Sequence, residues 1–163
     1  MDMKELHKAL EEQMNFELYS GYIYKQMEAY CEAEDFPGVA HWLNVQAVEE
    51  YEHAWKFYEF LHDMDERPEW DAIPKPANDY SSLLDVFEKA LEHEKEVTAR
   101  IHKLVDQARE VDCKRTLSFL QWFVDEQLEE EVTFSDIVSK FERVGNDING
   151  LFFMDAQMAK RQD

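Results

Sequence analysis

Glu50 and His53 lie three residues apart, so on a helix their side chains share one face and reach toward one cation. Glu59 and His62 have the same spacing and serve as an internal control. Only the first pair lies on a stripe of apolar residues, which makes Glu59 and His62 a solvated surface pair. Three more such stripes each carry an acid near the midpoint: Glu17, Glu94 and Glu130. Four carboxylates at one level of an apolar core repel one another and cost too much to bury unless something positive sits between them. Oxygen ligands with a single imidazole suit Fe(II), Mn(II) or Zn(II) rather than a thiolate-preferring metal.

Other residues flank this set. Gln127, close to one turn before Glu130, can hydrogen-bond ligands or bound oxygen species. Tyr24 lies on the stripe of Glu17 and reads either as an ordinary core tyrosine or as a hydrogen-bonding or electron-donating neighbour. Glu49, Glu126 and Glu129 stand beside the ligands on two of the stripes. They are either a solvated acidic face or a third cation position; Glu131 is more peripheral.

Four long helices must carry these residues, because each stripe repeats at alternating three- and four-residue steps. The first, over about residues 4–34, shows Leu6, Leu10, Gln13, Glu17, Ser20, Tyr24, Met27 and Cys31. Pro37 suits the first turn of a second helix, with Leu43, Gln46, Glu50, His53, Phe57, Phe60 and Met64. Pro68, Pro74 and Pro76 mark a linker over about residues 65–80, and Ser81-Ser82 caps a third helix that carries Glu94. After a turn at Val111-Asp112-Cys113, a fourth helix runs to Gly145-Asn146, and a short fifth contains Leu151, Phe152 and Met154.

The ~16-residue linker can reach roughly 50 Å, more than the roughly 42 Å of a ~28-residue helix. It is therefore able to climb the bundle and start the third helix at the far end. An all-α fold of two hairpins joined by one long crossover is expected, with a plain up-down bundle as the alternative that length alone leaves. The expected domain is a single one over residues 1–163, with the bundle at about 4–143 and the last helix at about 146–160.

With 37 acidic and 17 basic residues the formal charge is −20, which repels nucleic acid. Cys31 and Cys113 form no CxxC pattern, so a reducing cytoplasm is expected. No apolar run approaches membrane length, and the first residues lack the apolar core of a secretion signal.

The segments Asn15–Ser20, Glu49–Ala54 and Phe123–Glu130 resemble those of prokaryotic non-haem ferritins, and the resemblance covers essentially the whole chain. It implies a ferritin-like bundle with a di-iron centre, ferroxidase activity, and a cage of 24 identical subunits that stores ferric mineral. One iron position falls on Glu17, Glu50 and His53, and the second on Glu50, Glu94 and Glu130, beside Gln127 and Tyr24. A third falls on Glu49, Glu126, Glu129 and Glu130. The haem-binding methionine of bacterioferritins corresponds to Tyr51, so haem is not expected. Where bacterioferritins and rubrerythrins have a second Glu-x-x-His, this chain has Gln127 and Glu130. The rival readings are a di-iron peroxidase or oxygenase of the rubrerythrin type, and a non-catalytic cage subunit. The fifth segment either packs on its own bundle or buries its apolar cluster around a fourfold axis.

Overall fold

The computed structural model describes residues 1–162, and among these there is no strand. Five helices follow in order: α1 (Met3–Ala33), α2 (Pro37–Asp63), α3 (Leu83–Glu110), α4 (Lys114–Val144) and α5 (Ile148–Met158). None is long and apolar enough to cross a membrane. Four of the five starts have a local cause. The Asp2 carboxylate accepts from the Glu5 N–H while the Glu5 side chain accepts from the Asp2 N–H, a reciprocal cap. The Ser82 hydroxyl accepts from the Asp85 N–H, and Asp147 caps α5 through the Gly150 N–H. Pro37 occupies the first turn of α2, where its missing N–H costs nothing.

Three helices end in the same way. Asp35, Asp65 and Asp112 take positive φ angles of 62°, 64° and 51°. The following N–H groups of Phe36, Glu66 and Cys113 then reach back to the Cys31, Leu61 and Ala108 carbonyls at 2.9–3.0 Å. This is the Schellman closure, with aspartate in the place glycine usually takes. It turns the chain sharply enough for α1 to fold back on α2, and α3 on α4.

Two apolar clusters show how the hairpins are joined. One contains Met27 and Cys31 from the end of α1, Val39 and Leu43 from the start of α2, Val86 and Phe87 from the start of α3, and Ile137 and Phe141 from the end of α4. The other gathers Leu6 and Leu10, Phe57 and Leu61, Ile101 and Leu104, and Leu120 and Phe123 at the opposite ends of the same helices. Helix α3 therefore begins at the end where α2 began, not where α2 finished. The segment between them climbs the bundle, and the plain up-down alternative is excluded. It is held along the way by α1: Asn15 donates to the Glu69 carbonyl and accepts from the Asp71 N–H, while Glu11 accepts from the Glu69 N–H. Trp70 stacks on Tyr58, and Tyr80 packs against Tyr30 near the top.

Helix α5 packs on its own bundle. Met154 and Met158 are buried against the start of α2, and the Asp155 carboxylate accepts from the Val39 N–H at 2.9 Å. That bond supplies the cap α2 lacks locally and sets a negative charge at the positive end of its dipole. The opposite face remains open, with Phe152 and Phe153 at 55% and 62% exposure.

Gly38 makes this docking close: a Cβ there would lie 2.0 Å from the Asp155 backbone oxygen. Because backbone cannot yield as a side-chain tip does, Gly38→Ala should cost about 1–3 kcal/mol of overpacking. Amide hydrogen exchange should show faster exchange confined mainly to α5 and the first turn of α2. Unchanged protection of α5 would rule out the close approach.

Candidate metal centre

Between the two apolar clusters lies a polar layer. Gln13, Glu17, Ser20, Gln46, Glu50, His53, Glu94, Gln127 and Glu130 are all buried there. Each of the four long helices contributes, because its stripe of inward positions passes through this level. Ligand atoms of Glu17, Glu50 and His53 lie within 4.8 Å of one another, as do those of Glu50, Glu94 and Glu130. Glu50 belongs to both groups. A third group on the same criterion joins Glu49, Glu126 and Glu130, less deeply buried, with Glu130 shared. The structure thus brings Glu17, Glu50, His53, Glu94, Glu130, Glu49 and Glu126 together in one layer. Glu129 is exposed and belongs to none of the groups.

Three glutamine amides organise the carboxylates. Gln13 donates to Glu17 Oε1 at 2.9 Å. The Gln46 Nε2 group donates to Glu50 Oε1 and to Glu130 Oε2, both at 3.0 Å, tying α2 to α4. Gln127 donates to the Glu94 backbone oxygen and to Glu94 Oε2. The Tyr24 hydroxyl donates to the other Glu94 oxygen, so Tyr24 is both a core ring stacked on Phe134 and a hydrogen-bonding neighbour of the centre. Sequence reasoning singled out Gln127 and passed over Gln13 and Gln46. The signal was present: both glutamines precede a stripe glutamate by four residues, one helical turn.

His53 Nδ1 lies 3.2 Å from Glu50 Oε2 and 3.8 Å from Glu17 Oε2. Its ring packs edge-on against Trp122 and Phe123, which exclude water on that side. Glu17 Oε2 is buried with no hydrogen-bond partner. An orphaned anionic oxygen beside an imidazole and a second carboxylate suits a hard divalent cation, and the donor set fits iron.

Titration behaviour follows from burial and crowding. Burial, and then the charge of Glu94, push the Glu50 carboxyl well above its ordinary range. The same two causes push Glu130 up to about 8. Burial raises Glu94 less, to about 6, because Tyr24 and Gln127 donate to its anion. Burial would raise Glu17 too, but the nearby His53 imidazole and the amide of Gln13 outweigh it and hold Glu17 below the usual value. Burial alone would lower His53, yet the charge of Glu50, its hydrogen bond and the nearby Glu17 carboxylate carry it well above 6.5. Near pH 7 this layer thus keeps a proton on Glu130, while Glu94 carries negative charge.

A cation that takes Glu130 as a ligand must expel that proton. Calorimetric Zn(II) titration at pH 7 should therefore give a binding heat that changes with the ionisation heat of the buffer and reports proton release, Glu130 contributing. The number should fall as pH rises past 8, where Glu130 has already lost its proton. A heat independent of buffer would refute the proton-loaded layer.

Comparison with known proteins gives the family. A family model described as the ferritin-like domain matches residues 7–144. The bacterial non-haem ferritin of Staphylococcus saprophyticus is 40% identical over 158 residues, covering 97% of this chain and 95% of that protein. A probable bacterial non-haem ferritin-like protein of Haemophilus influenzae is 41% identical over 151 residues, 93% of this chain and 92% of that protein. The open-pore ferritin of the archaeon Archaeoglobus fulgidus superposes with a TM-score of 0.96 at 39% identity, over 97% of this chain and 98% of that one. With a family model across the bundle and full-length relatives at this identity, the chain belongs to the ferritin family, among relatives of the bacterial non-haem type.

Proposed function

We propose that this protein is an iron-storage ferritin with ferroxidase activity. Two Fe(II) ions are its substrates, one taken by Glu17, Glu50 and His53 and the other by Glu50, Glu94 and Glu130. The observation that carries the reading is the pair of buried ligand groups joined by Glu50. Hard anionic oxygens favour Fe(III) over Fe(II), so the ligand set favours oxidation once iron is bound. Each Fe(II) gives one electron, and O2 takes two electrons and two protons to become H2O2. Peroxide is an alternative oxidant. The chain's own part is to hold the ions, fix the carboxylates through Gln13, Gln46 and Gln127, and exclude bulk water with Trp122 and Phe123.

The product is ferric oxyhydroxide, stored in the cavity of a homo-oligomeric cage of 24 subunits in the cytoplasm. Three observations support the storage reading. Full-length relatives are named as non-haem ferritins. Exposed Phe152 and Phe153 offer an apolar face that assembly can cover. The acidic balance draws Fe(II) inward. Glu49 and Glu126, with Glu130, form an outer position beside the pair; Glu129 stands at its exposed rim, within reach only if its side chain swings inward.

Aerobic Fe(II) oxidation followed in the ultraviolet should be fast in wild type. In Glu50→Ala and Glu130→Ala it should be slower by more than the roughly 10–100-fold that loss of an indirect partner costs. Equal rates in all three would end the ferroxidase reading. Sizing after aerobic loading separates storage from its rivals: a large iron-filled assembly is expected, and a dimer free of mineral would favour a peroxidase or oxygenase.

A further inference from the structure

We propose that Arg161, in the C-terminal tail, is the built-in counter-cation of the outer acid group and a positioning residue for the inner centre. A metal ion entering the outer group must then compete with it. This inference rests on the reading that Glu49, Glu126 and Glu130 take a cation.

The geometry starts from α5. Beyond its last turn the chain passes back over the start of α2, and His41 Nε2 bonds the Arg161 carbonyl at 2.8 Å. The Arg161 guanidinium then lies over the Trp42 ring at 4.1 Å, and Nη1 donates to the Trp42 carbonyl at 3.1 Å. Its Nη2 donates to Glu49 Oε2 at 3.1 Å and to Gln46 Oε1 at 3.0 Å. With its side chain 17% exposed, this is a seated cation rather than a loose surface arginine.

Two consequences follow. First, Glu49 supplies an oxygen to the outer group, and Arg161 already neutralises it. A divalent ion at that place meets both a ligand in use and a neighbouring positive charge. Second, a guanidinium only donates, so it holds the Gln46 amide with its carbonyl outward and its NH2 toward Glu50 and Glu130. The carboxylates hold the NH2 end of the amide and Arg161 holds its carbonyl end, so losing Arg161 leaves the amide fixed at one end only. The tail thus touches the outer group directly and the inner groups through one amide. Reciprocity requires that metal in the outer group loosen the tail as much as the tail weakens the metal.

The test is a Zn(II) titration of the assembled protein, with Zn(II) as a cation that accepts the same ligands and does not oxidise. Wild type, Arg161→Met, Arg161→Lys and Glu49→Gln are compared, with thermal unfolding as a separate readout. Wild type should bind two ions tightly and a third more weakly. In Arg161→Met the third should bind roughly fivefold to tenfold more tightly, the scale of one removed ion pair. Arg161→Lys keeps the charge and should stay near wild type, and Glu49→Gln should lose the third ion. In wild type, the third equivalent should also speed amide exchange at residues 159–162. If all Arg161 variants bind the third ion as wild type does, while only their melting shifts, Arg161 is merely an anchor for the tail and the proposal falls. If no variant and no wild type takes a third ion, the outer-site reading falls and the proposal with it.

Discussion

Everything in this bundle answers to the cost of placing four carboxylates in the middle of a hydrophobic core. Glu17, Glu50, Glu94 and Glu130 are all buried, between apolar clusters that need no polar help. In the metal-free state the charge is tamed by three means. Glu130 keeps a proton, the carboxylates beside His53 favour its charged form, and amides from Gln13, Gln46 and Gln127 donate to Glu17, Glu50 and Glu94. Each device is cheaper than an unpaired buried anion. All three are weaker than a divalent cation, which is why the layer has the character of a prepared binding site. The helices around it are closed at many of their ends, with side-chain caps at the starts of α1 and α3, Asp155 at the start of α2, and left-handed aspartates after α1, α2 and α3.

Much of this was legible in the sequence because helical periodicity is a strong signal in long helices. Helix order, and Glu17, Glu50, His53, Glu94 and Glu130 at one level, follow from stripes of inward positions, whereas the length of the linker allowed the climbing path without requiring it. The Glu59–His62 control worked for the same reason: spacing alone is ambiguous, and spacing with burial is not. Small errors came at the edges of stripes. Phe60 lies at the margin of the α2 stripe and is only partly buried, stacked flat on Phe119, and Leu61 takes the core place. Glu129 follows the same logic, since one step around α4 from Glu130 carries a side chain from the core to solvent.

What the sequence did not yield are contacts without a period. Arg161 meets Glu49 across 112 positions of chain, and nothing in local spacing connects them. His93, an unremarked position on α3, bonds Ser20 of α1 at 2.8 Å and stacks on Phe16. Burial brings its pKa down to about 4, which keeps the imidazole neutral beside the acids. Such pairs depend on how hairpins are set against each other, which residue patterns within one helix do not encode. The docking of α5 is another case. Its apolar character was evident, but the matching of Asp155 to the uncapped start of α2, permitted by Gly38, required the fold.

One feature has a bearing on traffic. The three ligand groups form a row in which Glu50 is common to the first and second, and Glu130 to the second and third. A carboxylate has two oxygens, so a shared residue can hold the old neighbour with one while offering the other to the new. A hard cation gives up its ligands reluctantly, and stripping it bare inside a protein would be prohibitive. Along this row it need never be stripped. The row is also lopsided, with the only nitrogen donor at the deep end and the most exposed acids at the other. It behaves as a ladder with a top and a bottom rung, down which an ion could pass hand over hand from the interior of the bundle to its rim.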